Sequence, residues 1–547
     1  MYRKFKGLLI PLLIMALGFA ASCVKTTSTM PDDTNAPTPE PLTSEIIKEQ
    51  LLPGVTLNIT QLSGWVEDSV YDTLLYMDPN EPETIKGCLA ESWSHSDDHL
   101  TWTFKIKDAV QFSDGTSCDA EAAAKWLNSE EVNKNYCGIA SVYAKEGNLL
   151  VIELASPCAW FETELCVDTY RIKKSGSSGL PVGTGPYIID EYVEWDEELM
   201  RTYYVLKANV NYHTRERIPR FETLTLCSCV LSDHDALSKM LLEGERDISV
   251  FFDASDVDFY AADGHSVETA LSKDYTALWL NPTRHEAFTN IEVRKAVNRF
   301  IDLDALNEAC YGSYGKVQSS IWAEGSVESV PYDGFYYDSE EGHALLADAG
   351  YSASDLSFEI IDGWKMIGTP PTVVEQIAAQ LNKAGMDVEV SYVEKGLHLV
   401  PDNCRVLNVP VGLNYRYNSG LAALGQIGTG PHAAWKSIML KYEPNALTPP
   451  ADITTSYPGQ LFEYKHSWQE IYAPELYTRM CEIYDRMIST PHWDEMVECS
   501  RELTRIVQED YAAMPLVQEP VFFAVREGAE EQFEALTQTS MFKWMYQ

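Results

Sequence analysis

The chain has 547 residues, with 41 Lys and Arg against 82 Asp and Glu, a formal net charge of -41 and 45% hydrophobic residues. Such acidity argues against a nucleic-acid binder, which neutralises phosphates with clustered basic side chains, and against grip on an anionic lipid surface through a basic face. The apolar content is ample for packed cores, and the length exceeds the ~250–300 residues one core sustains, so two or more lobes are expected.

The chain opens with Arg3, Lys4 and Lys6, followed by an apolar run from Leu8 to Ala21. That run is short for the ~20 residues of a membrane-spanning helix and suits a secretory signal over residues 1–22. It ends in Ala20-Ala21-Ser22-Cys23, small residues before a cysteine, which resembles the bacterial lipoprotein processing site. The expectation is that Cys23 becomes the lipidated first residue of the mature protein; an ordinary signal peptide cut at Ala-x-Ser is the alternative. From Val24 to Leu42 the chain is rich in Thr, Ser and Pro without apolar period, so residues 23–49 are expected to form a flexible tether.

Beyond the tether, Thr101 to Lys107 alternates strictly, with Trp102, Phe104 and Ile106 on one face, which predicts a half-buried strand. Asp119 is placed to cap a helix through Ala120–Trp126. A helix over Ala236–Glu243, closed by Gly244, leads into a strand over Asp247–Phe251. Val293, Ala296, Val297, Phe300 and Ile301 have helical spacing, with Asn290 as the cap. Leu345, Leu346 and Ala349 form a shorter apolar face stopped by Gly350. Met496, Leu503, Ile506 and Val507 mark a long amphipathic helix near the end. Alternating strands and helices predict an α/β fold.

Catalytic signatures are missing. His285-Glu286 has Thr289 where a metalloprotease needs His, and Gly176-Ser-Ser-Gly179 and Gly312-Ser-Tyr-Gly315 lack the spacing of a nucleophile elbow. His95 and His99 would share a helix face, but the intervening Ser96-Asp97-Asp98 reads as a turn, so the expectation there is a solvated loop. Of the 12 cysteines, Cys227 and Cys229 are too close to be good disulfide partners, disulfides elsewhere are left open, and no zinc-ligand spacing occurs. Most are expected to be small buried hydrophobes. No cofactor is expected, and an enzyme is disfavoured.

Leu89-Ala-Glu-Ser-Trp93, Ser96-Asp97-Asp98, the Thr101–Lys107 strand and Val110-Gln-Phe-Ser-Asp-Gly-Thr116 together resemble the signature of the family 5 extracellular solute-binding proteins of ATP-binding-cassette (ABC) importers. Further collinear segments agree, among them Gly183-Thr-Gly-Pro-Tyr187, Asn211-Tyr212, Leu242-Glu-Gly-Glu-Arg-Asp247, Leu278-Trp-Leu-Asn281 and Val293-Arg-Lys-Ala-Val-Asn298. The resemblance implies a two-lobed periplasmic-binding-protein-like fold with an extra inserted subdomain. Lobe I would comprise 50–75, 183–285 and 510–547, the insert 76–182, and lobe II 286–509. It implies a monomer that captures peptides or similar small solutes between closing lobes and delivers them to a membrane permease, touching the membrane through its lipid alone. A nickel-chelate or oligosaccharide binder and a peptide-sensing receptor on the same fold are the alternatives.

Trp93, Trp102, Phe112 and the Gly183-Thr-Gly185 turn are expected to be scaffold, as are Arg294 and Asp302. Peptide-binding relatives carry a Gly-Trp-x-x-Asp segment whose Asp pairs with the peptide amine. The matching place here, Val411 to Tyr417, has neither Trp nor Asp, and no carboxylate occurs between Asp402 and Glu443. Asn414, Tyr415, Arg416, Tyr417, His432 and Trp435 are the candidate ligand residues, with Arg416 suited to an acidic group by its planar fork.

Overall fold

A computed structural model describes residues 42–362 apart from 60–61, 79–80, 130–131, 133–137, 159, 167–169, 176–180, 197–200, 230–233, 273–274, 281–285 and 323–327, together with 373–392, 411–416, 474–539 and 542–543. In chain order it begins with α1 (Ser44–Glu49), β1 (Val55–Asn58) and α2 (Leu62–Val70). Strands β2 (Leu75–Asp78) to β9 follow: β3 (Glu81–Gly87), β4 (Ala90–His95), β5 (Thr101–Ile106), β6 (Ile139–Lys145), β7 (Leu149–Leu154), β8 (Lys174–Ser175) and β9 (Pro181–Val182), with α3 (Ala120–Leu127) and α4 (Phe161–Glu164) between them. Next come β10 (Tyr187–Asp196), β11 (Arg201–Ala208), β12 (Thr223–Cys229), α5 (His234–Leu242), β13 (Ile248–Phe251), α6 (Val257–Ala262) and β14 (Ser266–Leu271). After these run β15 (Tyr275–Leu280), α7 (Ile291–Arg299), α8 (Leu303–Tyr311), β16 (Lys316–Val317), α9 (Ser339–Asp348), β17 (Ser357–Asp362), α10 (Val373–Lys383), β18 (Asp387–Tyr392) and β19 (Val411–Arg416). The chain closes with α11 (Pro474–Ser489), α12 (Trp493–Glu509), β20 (Ala513–Pro515), β21 (Val517–Gln518), β22 (Pro520–Val525) and α13 (Glu530–Thr537).

Three sheets carry the architecture. Seven strands run in the order β10-β11-β12-β1-β13-β22-β14, five in the order β18-β17-β19-β15-β20, and four in the order β4-β5-β7-β6. Strand β5 buries Trp102, Phe104 and Ile106 and leaves its alternate residues half-exposed, as period two demands. Asp119 accepts from the Ala122 amide and Asn290 from the Glu292 amide, so both expected caps form. Gly244 and Gly350 follow their helices at φ of 74° and 83°, a backbone region that a Cβ disfavours.

The chain passes from the seven-stranded to the five-stranded sheet between Leu271 and Tyr275, and returns between Pro515 and Pro520 by way of β21, which pairs with β16. β15 and β20, which flank the 286–509 span expected for lobe II, pair with each other in the second sheet. Hydrophobic patterning reveals a strand but not the sheet it joins. The two crossings are tied together, Ser272 donating its amide to the Glu519 carbonyl at 2.8 Å and Gln518 donating Nε2 to the Ser272 carbonyl at 2.7 Å.

Each sheet has its own core. Leu57, Leu226, Ile248 and Phe523 fill the first, and Leu278, Val297, Phe300, Ile360 and Leu381 fill the second. A third cluster joins Trp102, Phe104, Leu150, Ile152 and Phe161 of the inserted subdomain to Met480, Ile483, Met496 and Leu503 of the α11–α12 hairpin. Cys88, Cys118, Cys158 and Cys499 are buried and unbridged, and Cys227 is buried, in line with the reading of most cysteines as small apolar side chains. Among the described residues no helix is long and apolar enough to cross a membrane.

Candidate functional site

Strands β1, β12 and β13 run parallel, as do β17, β18 and β19. Open α/β sheets present ligand sites beyond the carboxyl ends of such strands, where loops are free of ladder hydrogen bonds. Both carboxyl edges lie beside the paired crossing. Phe251, the last residue of β13, pairs with Phe522, and Leu271 with Pro520, one residue from Glu519. On the other side Arg416, the last residue of β19, pairs with Tyr275 at the start of β15. The strand ends of the two sheets thus converge on the crossing, and the gap between them is the candidate ligand cleft.

Of the predicted ligand residues, Asn414, Tyr415 and Arg416 lie on β19, opposite Ala277, Thr276 and Tyr275. Tyr417, His432 and Trp435 lie outside the described residues, as does Cys23. Two residues that sequence reading missed stand beside the first sheet's edge. Phe252, directly after β13, is 48% exposed, and Tyr314, after α8, is 44% exposed with its ring edge-on to Phe522 at 5.2 Å. A signal for Phe252 exists in the Phe251-Phe252 doublet, since a strand of period two cannot bury both rings in one layer. A Cβ built on Gly312 would lie 3.5 Å from that of Ala254, so the loop after α8 reaches the β13 edge.

The same edge is acidic. Asp253 accepts from the Ser255 amide, and the Asp256 carboxylate meets the His234 ring, Nε2 to Oδ2, at 3.3 Å. Burial pushes the Asp256 carboxyl up, while His234 opposes the rise and Asp253 adds to it. The β13 strand end thus carries carboxylates, whereas residues 403–442 contain none.

Several of the motif residues turn out to build a junction rather than the cleft. Asp72, fully buried, accepts hydrogen bonds from Thr184 Oγ1 at 3.0 Å, Tyr212 OH at 2.9 Å and Arg217 Nη1 at 3.1 Å, and meets His213 Nε2 at 3.0 Å. Burial drives its carboxyl upward, but hydrogen bonding and charge from His213, with Arg217 behind it, hold it well below the usual carboxylate range. Cys88 donates to the same carboxylate, and its thiol is pushed up to about 12 by burial and then by Asp72. A Cβ on Gly183 would collide with the Val70 carbonyl, which explains the glycine of that turn. Arg294, 1% exposed, donates to Asp510 at 2.6 Å, and Asp302 caps α8, so both are scaffold as expected. His95 and His99 do meet, but through a turn: their rings stack with centroids 4.1 Å apart.

A model of the bacterial extracellular solute-binding proteins, family 5, matches residues 84–415. The glutathione-binding protein GsiB of Escherichia coli K12 is 24% identical over 351 residues, 61% of this chain and 66% of that protein. The match thus spans just under two thirds of that relative's length. The crystal structure of NikA from Brucella suis in complex with Fe(III)-EDTA is similar with a TM-score of 0.66 and 18% identity, over 87% of this chain and 95% of that one. DppA from Helicobacter pylori in complex with peptide STSA is similar with a TM-score of 0.61 and 16% identity, over 88% and 96%. These likenesses carry the two-lobed periplasmic-binding-protein fold.

Proposed function

Because the chain belongs to the bacterial extracellular solute-binding proteins of family 5, we propose that it is the substrate-binding protein of an ABC importer, holding a peptide or similar small solute between its lobes. The observation that carries this reading is the convergence of both carboxyl strand edges on a single pair of hydrogen-bonded crossings. Two short crossings provide an axis about which one lobe can turn against the other, so solute in the gap favours the closed form. A permease then distinguishes closed from open.

Charge supports a zwitterionic or acidic solute. Asp253 and Asp256 stand at the first lobe's edge, and Arg416 at the end of β19 in the second. A solute bearing an amine and a carboxylate finds a partner for each, and each buried charge needs one. GsiB and DppA, by their names and complexes, bind glutathione and a peptide, which agrees with that chemistry. Exposed Phe252 and Tyr314 add apolar contact.

The deciding experiment is mass spectrometry of solute released from the purified protein on denaturation, followed by calorimetry with the identified compound. Recovery of peptides or amino-acid conjugates supports the reading; recovery of neutral sugars alone rejects it. Anchoring through Cys23 is proposed with it. Cys23→Ala should move the protein from the membrane to the soluble extracytoplasmic fraction, and equal membrane retention of both forms rejects a lipid anchor.

A further inference from the structure

The contact between the inserted subdomain and the α11–α12 hairpin is built around histidines. His95 ends β4 and His99 closes the following turn at a φ of 56°, with the rings stacked at 4.1 Å. His492, the residue before α12, meets His99 edge to face at 6.2 Å. Trp102 backs the group, 4.7 Å from His95, and donates Nε1 to the His99 carbonyl at 3.1 Å. Around this contact the apolar cores of the subdomain and the hairpin are one cluster. The hairpin in turn belongs to the second lobe: Trp322 Nε1 donates to Thr504 Oγ1 at 2.7 Å, and the Ile321 amide to Gln508 Oε1 at 2.9 Å. A tie here therefore links the two lobes at a distance from the crossing. Among the described residues no group of three or more His, Cys, Asp or Glu is arranged to hold a metal ion.

We propose that His95, His99 and His492 form a proton-operated clasp, which holds the inserted subdomain against the second lobe when neutral and releases it when protonated. Neutral rings stack and pack on Trp102; protonated rings at these separations are like charges, with His99 half-buried between the exposed His95 and His492. The carboxylates that act on the group are Asp97 and Asp98 on the turn and Glu162 on α4, and the first turn of α12, next to His492, carries Asp494 and Glu495. Several are already engaged: Asp98 accepts from Ser96 Oγ and the Leu100 amide, Glu162 from Trp93 Nε1, and Glu495 from Thr490 Oγ1. Consistently, burial first and then His95 and His492 lower the pKa of His99, with Asp98 and Asp97 opposing. The sign follows. A histidine whose pKa is lower in the clasped form resists protonation there, so the clasp is fully effective above the ordinary histidine range near ~6.5 and weakens as pH falls below it.

The test is small-angle scattering of the purified protein at pH values of about 7.5 and about 5.5, for wild type and for His99→Asn/His492→Gln. Asn tolerates the left-handed backbone at position 99, so the turn survives. Wild type should expand on acidification, its open-to-compact ratio rising at least about threefold, while the double variant changes little. Equal expansion in both proteins, or none in wild type, overturns the clasp. Should the variant lose its near-ultraviolet dichroism, salt decides on wild type alone. Roughly 0.5 M salt should suppress an expansion driven by like charges, and an expansion indifferent to salt rejects it.

Discussion

Arg416 shows how far a single residue can carry a functional argument. It stands at the carboxyl end of β19, paired in register with Tyr275, where the chain has just crossed between sheets. If it holds a desolvated solute carboxylate, Arg416→Ala should weaken binding of the eluted solute by ~2 kcal/mol or more; a solvent-facing arginine would cost under ~1 kcal/mol. Calorimetry separates the two outcomes. Asp72 is the opposite kind of residue, a buried anion with five partners that the motif scan never singled out. Asp72→Ala leaves Arg217 without one of its two carboxylates and should destabilise by ~3 kcal/mol or more in urea unfolding. Its depressed folded-state pKa has a sign as well. The stabilisation is present above the unfolded carboxylate value near ~3.9 and is lost as pH falls below it. Wild type should therefore lose stability below that pH more steeply than Asp72→Asn.

At the scale of elements, local rules account for most of the helices and for their limits. Asn290 caps α7 through the Glu292 amide, and Asn290→Ala should cost ~1 kcal/mol of stability, read as a lower thermal midpoint with unchanged solute affinity. A larger loss, or a change in affinity, would mean that α7 contributes to the cleft. Helix α12 buries Met496, Val497, Leu503, Ile506 and Val507 along one stripe, as its spacing predicts. What that stripe packs against is another matter. It joins Trp102, Phe104 and Phe161 of the inserted subdomain in one cluster, a partner more than three hundred residues earlier in the chain.

For the whole molecule, the paired crossings at Ser272 and Gln518–Glu519 make rigid-body closure the expected response to solute. Saturation with the eluted solute should reduce the radius of gyration and change tryptophan fluorescence together. A bound protein of unchanged radius would contradict closure. The histidine clasp adds a second control, because it ties the lobes away from the crossing and should make the ligand-free radius depend on pH.

The sequence by itself determined the α/β class, the amphipathic stripes, the helix caps and the family, because each rests on short-range periodicity or on collinear motifs. It also exposed the carboxylate-free stretch around Arg416, since composition needs no coordinates. Only the tertiary structure decided which sheet β15 and β20 join, because a strand's own residues do not name its neighbours. The same holds for Asp72, whose partners Cys88, Thr184, Tyr212, His213 and Arg217 are scattered over more than a hundred residues. It holds for His99 and His492, nearly four hundred residues apart. Long-range packing, not local propensity, brings such groups together, and one-dimensional patterning carries no record of it.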